Sequence, residues 1–291
     1  VVFVDIDASG DGTGWNWADA KTDLSNAIDN ACAGQDIWIA EGTYYPTTCP
    51  NTETCNSREK HFTMKNNVGI YGGFNGTETL LTQRNVDLYE TILSGDFYED
   101  DGDWDDETEL FVNSEENALH VFYHPEGLNL DSSAMIDGIT VTGGNADDSS
   151  SMYYGFNGGG IYNGIGNGMK IDNCYFYRNH GFTGGAIYNG FENEEEFVFL
   201  QMADVFVDNS IFEENHSADR GSFTSFSVNF IQVTGSIFTN NFSGKGGAGI
   251  DFSGNEIIVR NSAFSNNTNF GGGGGAITTK SMNFILENTS F

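Results

Sequence analysis

The sequence is poor in positive charge and has no long hydrophobic run. It contains 11 lysine and arginine residues against 42 aspartate and glutamate residues, which gives a formal net charge of −31. Nucleic acids and anionic membrane surfaces are bound through clustered lysine and arginine, so this balance excludes both as partners. No run of about 18 apolar residues is present, and we therefore expect no membrane insertion.

The chain also begins without a recognisable secretory leader. Its first residues, Val1–Val4, have the apolar character of a β-strand rather than the charged start of a signal peptide. We expect a mature N-terminus that remains after cleavage of a leader, or an arbitrary boundary. In either case we expect the protein outside the cell or at the cell surface, where its negative charge keeps it soluble.

Cysteine is scarce, with four residues in a chain of 291. Cys49 and Cys55 enclose a short loop, and we expect a disulfide between them that staples it. A zinc site is the alternative, although the spacing does not fit a Cys-x-x-Cys knuckle. We expect Cys32 to pack on an N-terminal helix and Cys174 to fill a small-residue position, while a bond between these two remains open.

Asparagine, glycine and phenylalanine are abundant, and they form a repeat in the last third of the chain. The repeat has the form Phe-x-x-Asn followed by Gly-Gly-x-Ile, and its asparagines are 36, 26 and 26 residues apart. A fixed period in this range indicates a solenoid. The repeated residues are Phe176, Asn179, Phe212, Asn215, Phe238, Asn241, Phe264 and Asn267.

Each repeat is too short for two helices and suits one coil of short strands. Successive coils would stack about 4.8 Å apart, so that identical residues lie on one another. We expect the phenylalanines to stack inside the coil. The asparagines are expected to form a hydrogen-bonded ladder at a turn, where asparagine tolerates the left-handed conformation. The predicted fold is an all-β, right-handed parallel β-helix with a short N-terminal capping helix.

We expect a single domain over residues 1–291, because solenoids grow along one axis. Residues 1–35 form the cap, with a helix predicted over 18–32 from the spacing of its apolar residues. Residues 36–157 are predicted to be irregular coils with long loops, and residues 158–291 regular repeats whose C-terminal end is uncapped. The predicted strands of the irregular part include 36–40, 61–64, 68–71 and 91–93.

The repeat pair Phe-x-x-Asn and Gly-Gly-Ala-Ile resembles that of the chlamydial polymorphic membrane proteins, which are surface adhesins. The N-terminal third is similar to the start of large β-helical surface proteins of Bacteroidota type. The segments that carry this second resemblance include Val4–Ala8, Gly14–Ala20, Ile37–Pro46, Val68–Thr79 and Ile92–Asp96. The resemblance implies a β-helix whose N-terminal end is plugged by a helix. It leaves function open, because this fold serves lyases, hydrolases, adhesins and fibres.

The segment from residue 96 to residue 107 is the strongest candidate for ligand binding. Its acidic side chains alternate, and Asp101, Asp103, Asp105 and Glu107 are the predicted ligands of one Ca²⁺ ion. The alternative is a solvated acidic loop without metal. We identify no catalytic residue.

The sequence favours a non-enzymatic extracellular bacterial surface protein, either an adhesin or a self-assembling fibre subunit. Its partners would be other copies, bound head to tail, or a host or cell-surface glycan or protein. Leu286 and Phe291 are the residues expected at the assembly end. The alternative function is a carbohydrate-active enzyme, a polysaccharide lyase or glycoside hydrolase, since such enzymes also use this fold.

Overall fold

The computed structural model describes residues 1–49, 55–148, 155–190 and 204–291. The sequence also predicts loops at 47–60, 145–157 and 190–201, and parts of these three loops lie outside the described residues. The described chain contains one α-helix, α1 (Leu24–Asn30), two 3₁₀ turns (Ser57–Glu59 and Leu81–Gln83) and 26 strands.

The N-terminal part of the chain forms short strands separated by long connections. These strands are β1 (Val2–Val4), β2 (Gln35–Ala40), β3 (Gly42–Tyr44), β4 (Val68–Phe74), β5 (Thr91–Ser94), β6 (Trp104–Asp105), β7 (Leu110–Phe111), β8 (Phe122–His124), β9 (Met135–Asp137), β10 (Thr140–Thr142) and β11 (Asn145–Ala146). The predicted strand at 61–64 is wrong: Phe62 makes an isolated bridge to Phe122 there.

The C-terminal part is regular. Its strands are β12 (Ile161–Asn163), β13 (Met169–Asp172), β14 (Tyr175–Tyr177), β15 (His180–Thr183), β16 (Ile187–Asn189), β17 (Val205–Asp208), β18 (Ile211–Glu213), β19 (His216–Arg220), β20 (Phe223–Thr234), β21 (Ile237–Thr239), β22 (Phe242–Lys245), β23 (Ile250–Arg260), β24 (Ala263–Ser265), β25 (Thr268–Asn269) and β26 (Ile277–Glu287). This part contains the three longest strands, β20, β23 and β26.

Three parallel sheets run along the molecule, and each coil contributes strands to them. The first sheet has twelve strands and ends at β26, the second has seven in the order β3-β5-β10-β14-β18-β21-β24, and the third has five in the order β11-β15-β19-β22-β25. The pairings within all three sheets are parallel. The prediction of an all-β, solenoid-like fold built from parallel strands is therefore confirmed.

An asparagine ladder fixes the register between coils on the inside of the structure. Asn179, Asn215 and Asn241 are fully buried. The side-chain Oδ1 of Asn215 accepts bonds from both the backbone N–H and the Nδ2 of Asn179, each at 3.1 Å. Asn241 receives the same pair of bonds from Asn215, and Asn267 receives it from Asn241. Each asparagine thus satisfies buried backbone groups that water cannot reach.

The phenylalanines of the repeat stack beside this ladder. The ring centroids of Phe176 and Phe212 are 4.8 Å apart, those of Phe212 and Phe238 are 4.4 Å apart, and those of Phe238 and Phe264 are 4.9 Å apart. The planes differ by only 4° to 5°. Because the strands that carry these rings are in parallel register, each ring covers the next and excludes water from the interior.

The left-handed residue of this turn is not the ladder asparagine, and that expectation is wrong. The residue before it adopts positive φ instead, which turns the chain so that the asparagine points inward. These preceding residues are Arg178 (φ 50°), Glu214 (φ 51°), Asn240 (φ 55°) and Asn266 (φ 56°).

A second ladder, made of small residues, lies at the corner between the first and second sheets. The backbone N–H of Cys174 donates to the Oγ of Ser210, and that of Ser210 donates to the Oγ of Ser236. Ser236 repeats the contact with Ser262. Cys174 is buried and is not in a disulfide, so it occupies the small-residue position that its place in the repeat predicts.

The two glycines of a pair are required for different reasons, one for its backbone conformation and the other for lack of space. Gly184 has a φ of 66°, which favours glycine. A Cβ on Gly185 would lie 2.2 Å from the carbonyl oxygen of His216 in the next coil, so no side chain fits there.

The N-terminal end of the first sheet is already occupied by the chain itself. The backbone N–H of Phe3 donates to the carbonyl of Gly14, and the N–H of Lys21 donates to the carbonyl of Phe3. The helix α1 follows, shorter than the predicted 18–32, and buries Leu24, Ala27 and Ile28 in the main core.

The adjacent residues Asn240 and Asn241 allow a direct test of the ladder. Replacing Asn241 by alanine leaves the N–H of Asn215 and the carbonyl of Phe212 without their partners. We expect the free energy of unfolding to fall by about 2–4 kcal/mol, since each buried polar group left unpaired costs roughly 1–3 kcal/mol. Urea unfolding followed by circular dichroism measures it.

The matched control is Asn240→Gly. Asn240 is exposed and has positive φ, a conformation that glycine adopts without strain. We expect a change within about 0.5 kcal/mol. Equal losses in the two variants would mean that the ladder does not stabilise the coil in the way described.

Candidate functional site

The most distinctive feature outside the coils is an acidic insertion between β5 and β8, residues 96–117, here called the acidic arm. It leaves the coil after Gly95 and returns at Ala118, whose N–H donates to the carbonyl of Gly95 at 2.8 Å. Within the arm, β6 and β7 form an antiparallel hairpin. The carboxylate of Asp105 orders the hairpin turn by accepting bonds from the N–H of Glu107 and the hydroxyl of Thr108.

The hairpin folds back over the outer face of the third sheet. The ring of Trp104 stacks on that of His216, with centroids 3.8 Å apart and planes 25° apart, and lies 5.6 Å from the ring of His180. Phe111 meets His216 edge-on at 5.2 Å. His180 and His216 are neighbours in adjacent coils. The arm therefore rests on a rank of rings that the stacking of coils creates.

Arg178 forms ion pairs both with the acidic arm and with the next coil. Its guanidinium pairs with Asp103 of the arm at 3.0 Å and with Glu214 of the next coil at 2.8 Å. The same group lies over the ring of Phe111, 5.9 Å from its centroid. The Asp103 side chain is 92% exposed, so its pair adds little stability alone and serves mainly to orient the hairpin.

The four predicted calcium ligands do not converge. Asp103 pairs with Arg178, Asp105 is engaged in the hairpin turn, and Glu107 is exposed. Asp101 lies at the base of the arm, apart from Asp103, Asp105 and Glu107, with which the prediction grouped it. The reason is that the hairpin reverses the chain within this segment, so alternate residues do not share one concave face.

A different set of carboxylates meets at the base of the arm. Asp96, Asp100 and Glu116 each offer an oxygen, and the three oxygens lie within 4.8 Å of one another. In the part of the chain that the structure describes, no other three histidine, cysteine or acidic side chains come together in this way. Asp96 and Asp100 begin the arm and Glu116 ends it, so the cluster forms where the two ends of the insertion meet.

Asp96 also shapes the backbone around the cluster. Its Oδ1 accepts bonds from the N–H groups of Tyr98 and Glu99, at 3.1 and 2.7 Å, and its Oδ2 accepts one from Asp101 at 3.2 Å. The tight turn that results holds Asp100 beside Asp96.

Asp101 and Asn117 are the sequence neighbours of Asp100 and Glu116, and their side chains are hydrogen-bonded to each other. The Nδ2 of Asn117 donates to Asp101 Oδ2 at 2.8 Å. Burial, together with the charges of Asp96, Glu116 and Asp100, raises the pKa of Asp101 to about 7, although the bond from Asn117 acts to lower it. Burial also raises the pKa of Glu116, with contributions from the charges of Asp96 and Asp100. The base of the arm thus concentrates negative charge in a partly dry environment.

The histidines under the arm are held neutral. Burial lowers the pKa of His180 to about 4 and that of His216 to about 3, the latter also through the charges of His180 and Arg178. A neutral imidazole stacks on Trp104 without the cost of a buried charge.

The remaining predicted sites lie elsewhere on the molecule. Cys49 and Cys55 form a disulfide with a Cα–Cα distance of 5.8 Å. The segment before this disulfide is held against α1, where Asp23 and Asp29 accept bonds from Thr47 and Thr48.

Leu286 and Phe291 lie in and beyond the last strand, β26. Their side chains are 42% and 69% exposed. The ring of Phe291 extends the phenylalanine stack, 5.6 Å from that of Phe264.

Comparison with protein-family models, with characterised proteins and with solved structures finds no match to this chain. Within the described residues, no helix is long and apolar enough to span a membrane.

The stacked histidines predict a defined pH dependence. Above about pH 7 the imidazoles are neutral in both the folded and unfolded states, and stability does not depend on them. As pH falls below about 6.5 the unfolded chain takes up protons while His216 in the folded chain stays neutral until about pH 3, so stability falls. Replacing His216 by phenylalanine keeps the stacking and removes the proton.

We expect His216→Phe to lose less stability than the unmodified protein between pH 6.5 and pH 4, measured by urea unfolding at each pH. The comparison at pH 8, where neither protein carries the charge, corrects for altered packing. Parallel stability curves for the two proteins would refute the assignment of His216 as a buried neutral base.

Proposed function

We propose that this chain is a non-enzymatic section of an extracellular bacterial surface rod, either an adhesin or a self-assembling fibre subunit. The observation that carries this proposal is the continuous register of the inner ladders. Asparagine, serine and phenylalanine positions of each coil lie directly on those of the next, so the buried residues serve to hold coil on coil. A stiff rod that carries loops follows from this construction.

A right-handed parallel β-helix is the form we propose for the solenoid. Crossover connections between parallel strands are right-handed in the great majority of proteins. We propose further that residues 1–35 cap its N-terminal end. The backbone bonds of Phe3 to Gly14 and Lys21 support this, because they occupy the strand edge that would otherwise face solvent.

An extracellular location is consistent with the charge and the disulfide. A net charge of −31 keeps a long particle soluble and apart from nucleic acid. The Cys49–Cys55 bond would persist in an oxidising compartment. The proposed partners are other copies of this chain, or a glycan or protein on a cell surface, and weak contacts repeated along a rod would add by avidity.

The ion pairs of the arginines give less support to an enzyme that uses an arginine base. A lyase on this fold would need an arginine or lysine base beside the substrate, and a base must be free to exchange a proton. Each of the five arginines is engaged by a carboxylate. The pairs are Arg58–Asp147 (2.5 Å), Arg84–Asp137 (2.6 Å), Arg178–Glu214 (2.8 Å), Arg220–Asp219 (3.4 Å) and Arg260–Glu287 (2.8 Å).

The surface at β26 is the proposed assembly end. Exposed apolar side chains at the edge of a sheet favour addition of a further coil or of another molecule. We expect Leu286→Asp or Phe291→Asp to abolish end-to-end association, because a charge would then be buried in the contact. Sedimentation velocity and negative-stain electron microscopy measure the association.

The matched control is Leu88→Asp, which places the same charge at a side chain that is 63% exposed and lies away from β26. We expect this variant to associate as the unmodified protein does. Association of Leu286→Asp and Phe291→Asp at unchanged strength would rule out the β26 surface as the assembly end.

A further inference from the structure

We propose that the base of the acidic arm is a calcium site, formed by Asp96, Asp100 and Glu116 with side-chain oxygens of Asp101 and Asn117 beside them. The bound ion would join the two ends of the arm and hold its hairpin on the third sheet. This site differs from the alternating residues that the sequence alone suggested. It stands independently of whether the rod is an adhesin or a fibre subunit.

The spacing of the carboxylates suits this ion. Calcium binds carboxylate and amide oxygens at about 2.3–2.6 Å in flexible geometry, so two of its ligands lie at most about 5 Å apart. The three carboxylate oxygens of the cluster fall within 4.8 Å of one another. Asp100 is exposed and Asp96 is partly exposed, which gives the ion a path from solvent.

A second observation, independent of charge, points to a cation at this place. Asn117 is 99% buried, with a relative exposure of 1%, yet its Oδ1 has no hydrogen-bond donor. One oxygen of Glu116, a member of the cluster, is also shielded from solvent and lacks a donor. Buried oxygens are nearly always satisfied in folded proteins. A cation bound at the cluster would supply a partner for both oxygens.

The orientation of Asn117 is fixed by its own contacts. Its Nδ2 is bound to Asp101, and the N–H of Asp101 is bound to Asp96. These two bonds link the Asn117 carboxamide through Asp101 to Asp96 of the cluster, and its buried Oδ1 has no hydrogen-bond partner. An uncharged oxygen ligand among carboxylates is typical of calcium sites.

The position of the cluster gives the ion a structural consequence. Asp96 and Asp100 precede the hairpin and Glu116 follows it, so the ion would close the arm at its base. The hairpin carries Trp104, which stacks on His216. Calcium would therefore favour the docked arm, and chelation would favour its release.

Calcium binding is the first measurement, made by isothermal titration of chelator-treated protein with CaCl₂ in about 0.15 M KCl, which screens diffuse attraction. We expect one saturable site. Glu116→Gln and Asp100→Asn should each weaken it by at least about tenfold. The neighbouring exposed residues provide matched controls, Glu115→Gln and Asp106→Asn, for which we expect changes within about twofold.

The arm is the second measurement. Hydrogen exchange of residues 104–111 should slow on addition of calcium in the unmodified protein and in Glu115→Gln, and should not change in Glu116→Gln. Circular dichroism in chelator checks that all four variants keep the β fold. Titration with MgCl₂ should give at least about tenfold weaker binding, because Mg²⁺ demands a tighter octahedron.

Several outcomes would overturn the proposal. Binding that never saturates and is equal in all variants would show diffuse attraction by the net charge alone. One saturable site with unchanged affinity in Glu116→Gln and Asp100→Asn would place the ion elsewhere. Calcium binding at the cluster with no change in exchange of residues 104–111 would refute its role in docking the arm.

Discussion

The structure depends on the bond that an inward asparagine makes to the backbone of the neighbouring coil. Because Asn215 accepts from Asn179 and donates to the chain before it, two coils cannot slide past one another without losing buried hydrogen bonds. Phenylalanine stacking adds attraction along the axis but little directionality, since a flat ring tolerates sliding. The ladder supplies the direction, and the parallel register of the coils from Asn179 to Asn267 follows from it.

The acidic arm is positioned by that register rather than by its own sequence. Stacking of coils places His180 beside His216 and brings Arg178 next to Glu214. Trp104 of the arm then contacts His180 and His216, which belong to two adjacent coils. Asp103 pairs with Arg178 of the first of these coils. A slip of one residue between these coils would turn the histidines inward and leave the hairpin without a surface. The stacked coils therefore act as a scaffold, because their repeat creates the contacts that the acidic arm uses.

The repeat was predictable from the sequence because it depends on local pattern, and the acidic cluster was not because it depends on chain reversal. The phenylalanine and asparagine positions lie on one another as their spacing predicts, and Cys174 aligns with Ser210. Asp96 and Glu116 are far apart in sequence, and only the hairpin between them brings them together. A further buried contact between coils, the hydrogen bond between His124 and Asn163, was not predicted from the sequence, since the two residues differ in type and lie 39 residues apart. Conversely, the left-handed conformation belongs to Arg178 and Glu214 rather than to the ladder asparagines that follow them, although asparagine favours it intrinsically.

In each turn, therefore, one residue adopts the positive φ and the next residue makes the inward hydrogen bonds. Arg178, Glu214, Asn240 and Asn266 must each supply positive φ, yet their side chains are of three different types. The asparagine after each of them already holds the coils together, so the side chain before it is released from any role in the core. Repetition at about 4.8 Å then produces a line of neighbouring positions whose chemistry can change one residue at a time while the fold stays constant. Related proteins can therefore change the side chains at these outward positions, and so the partners that bind there, while the inward asparagines and the fold stay the same.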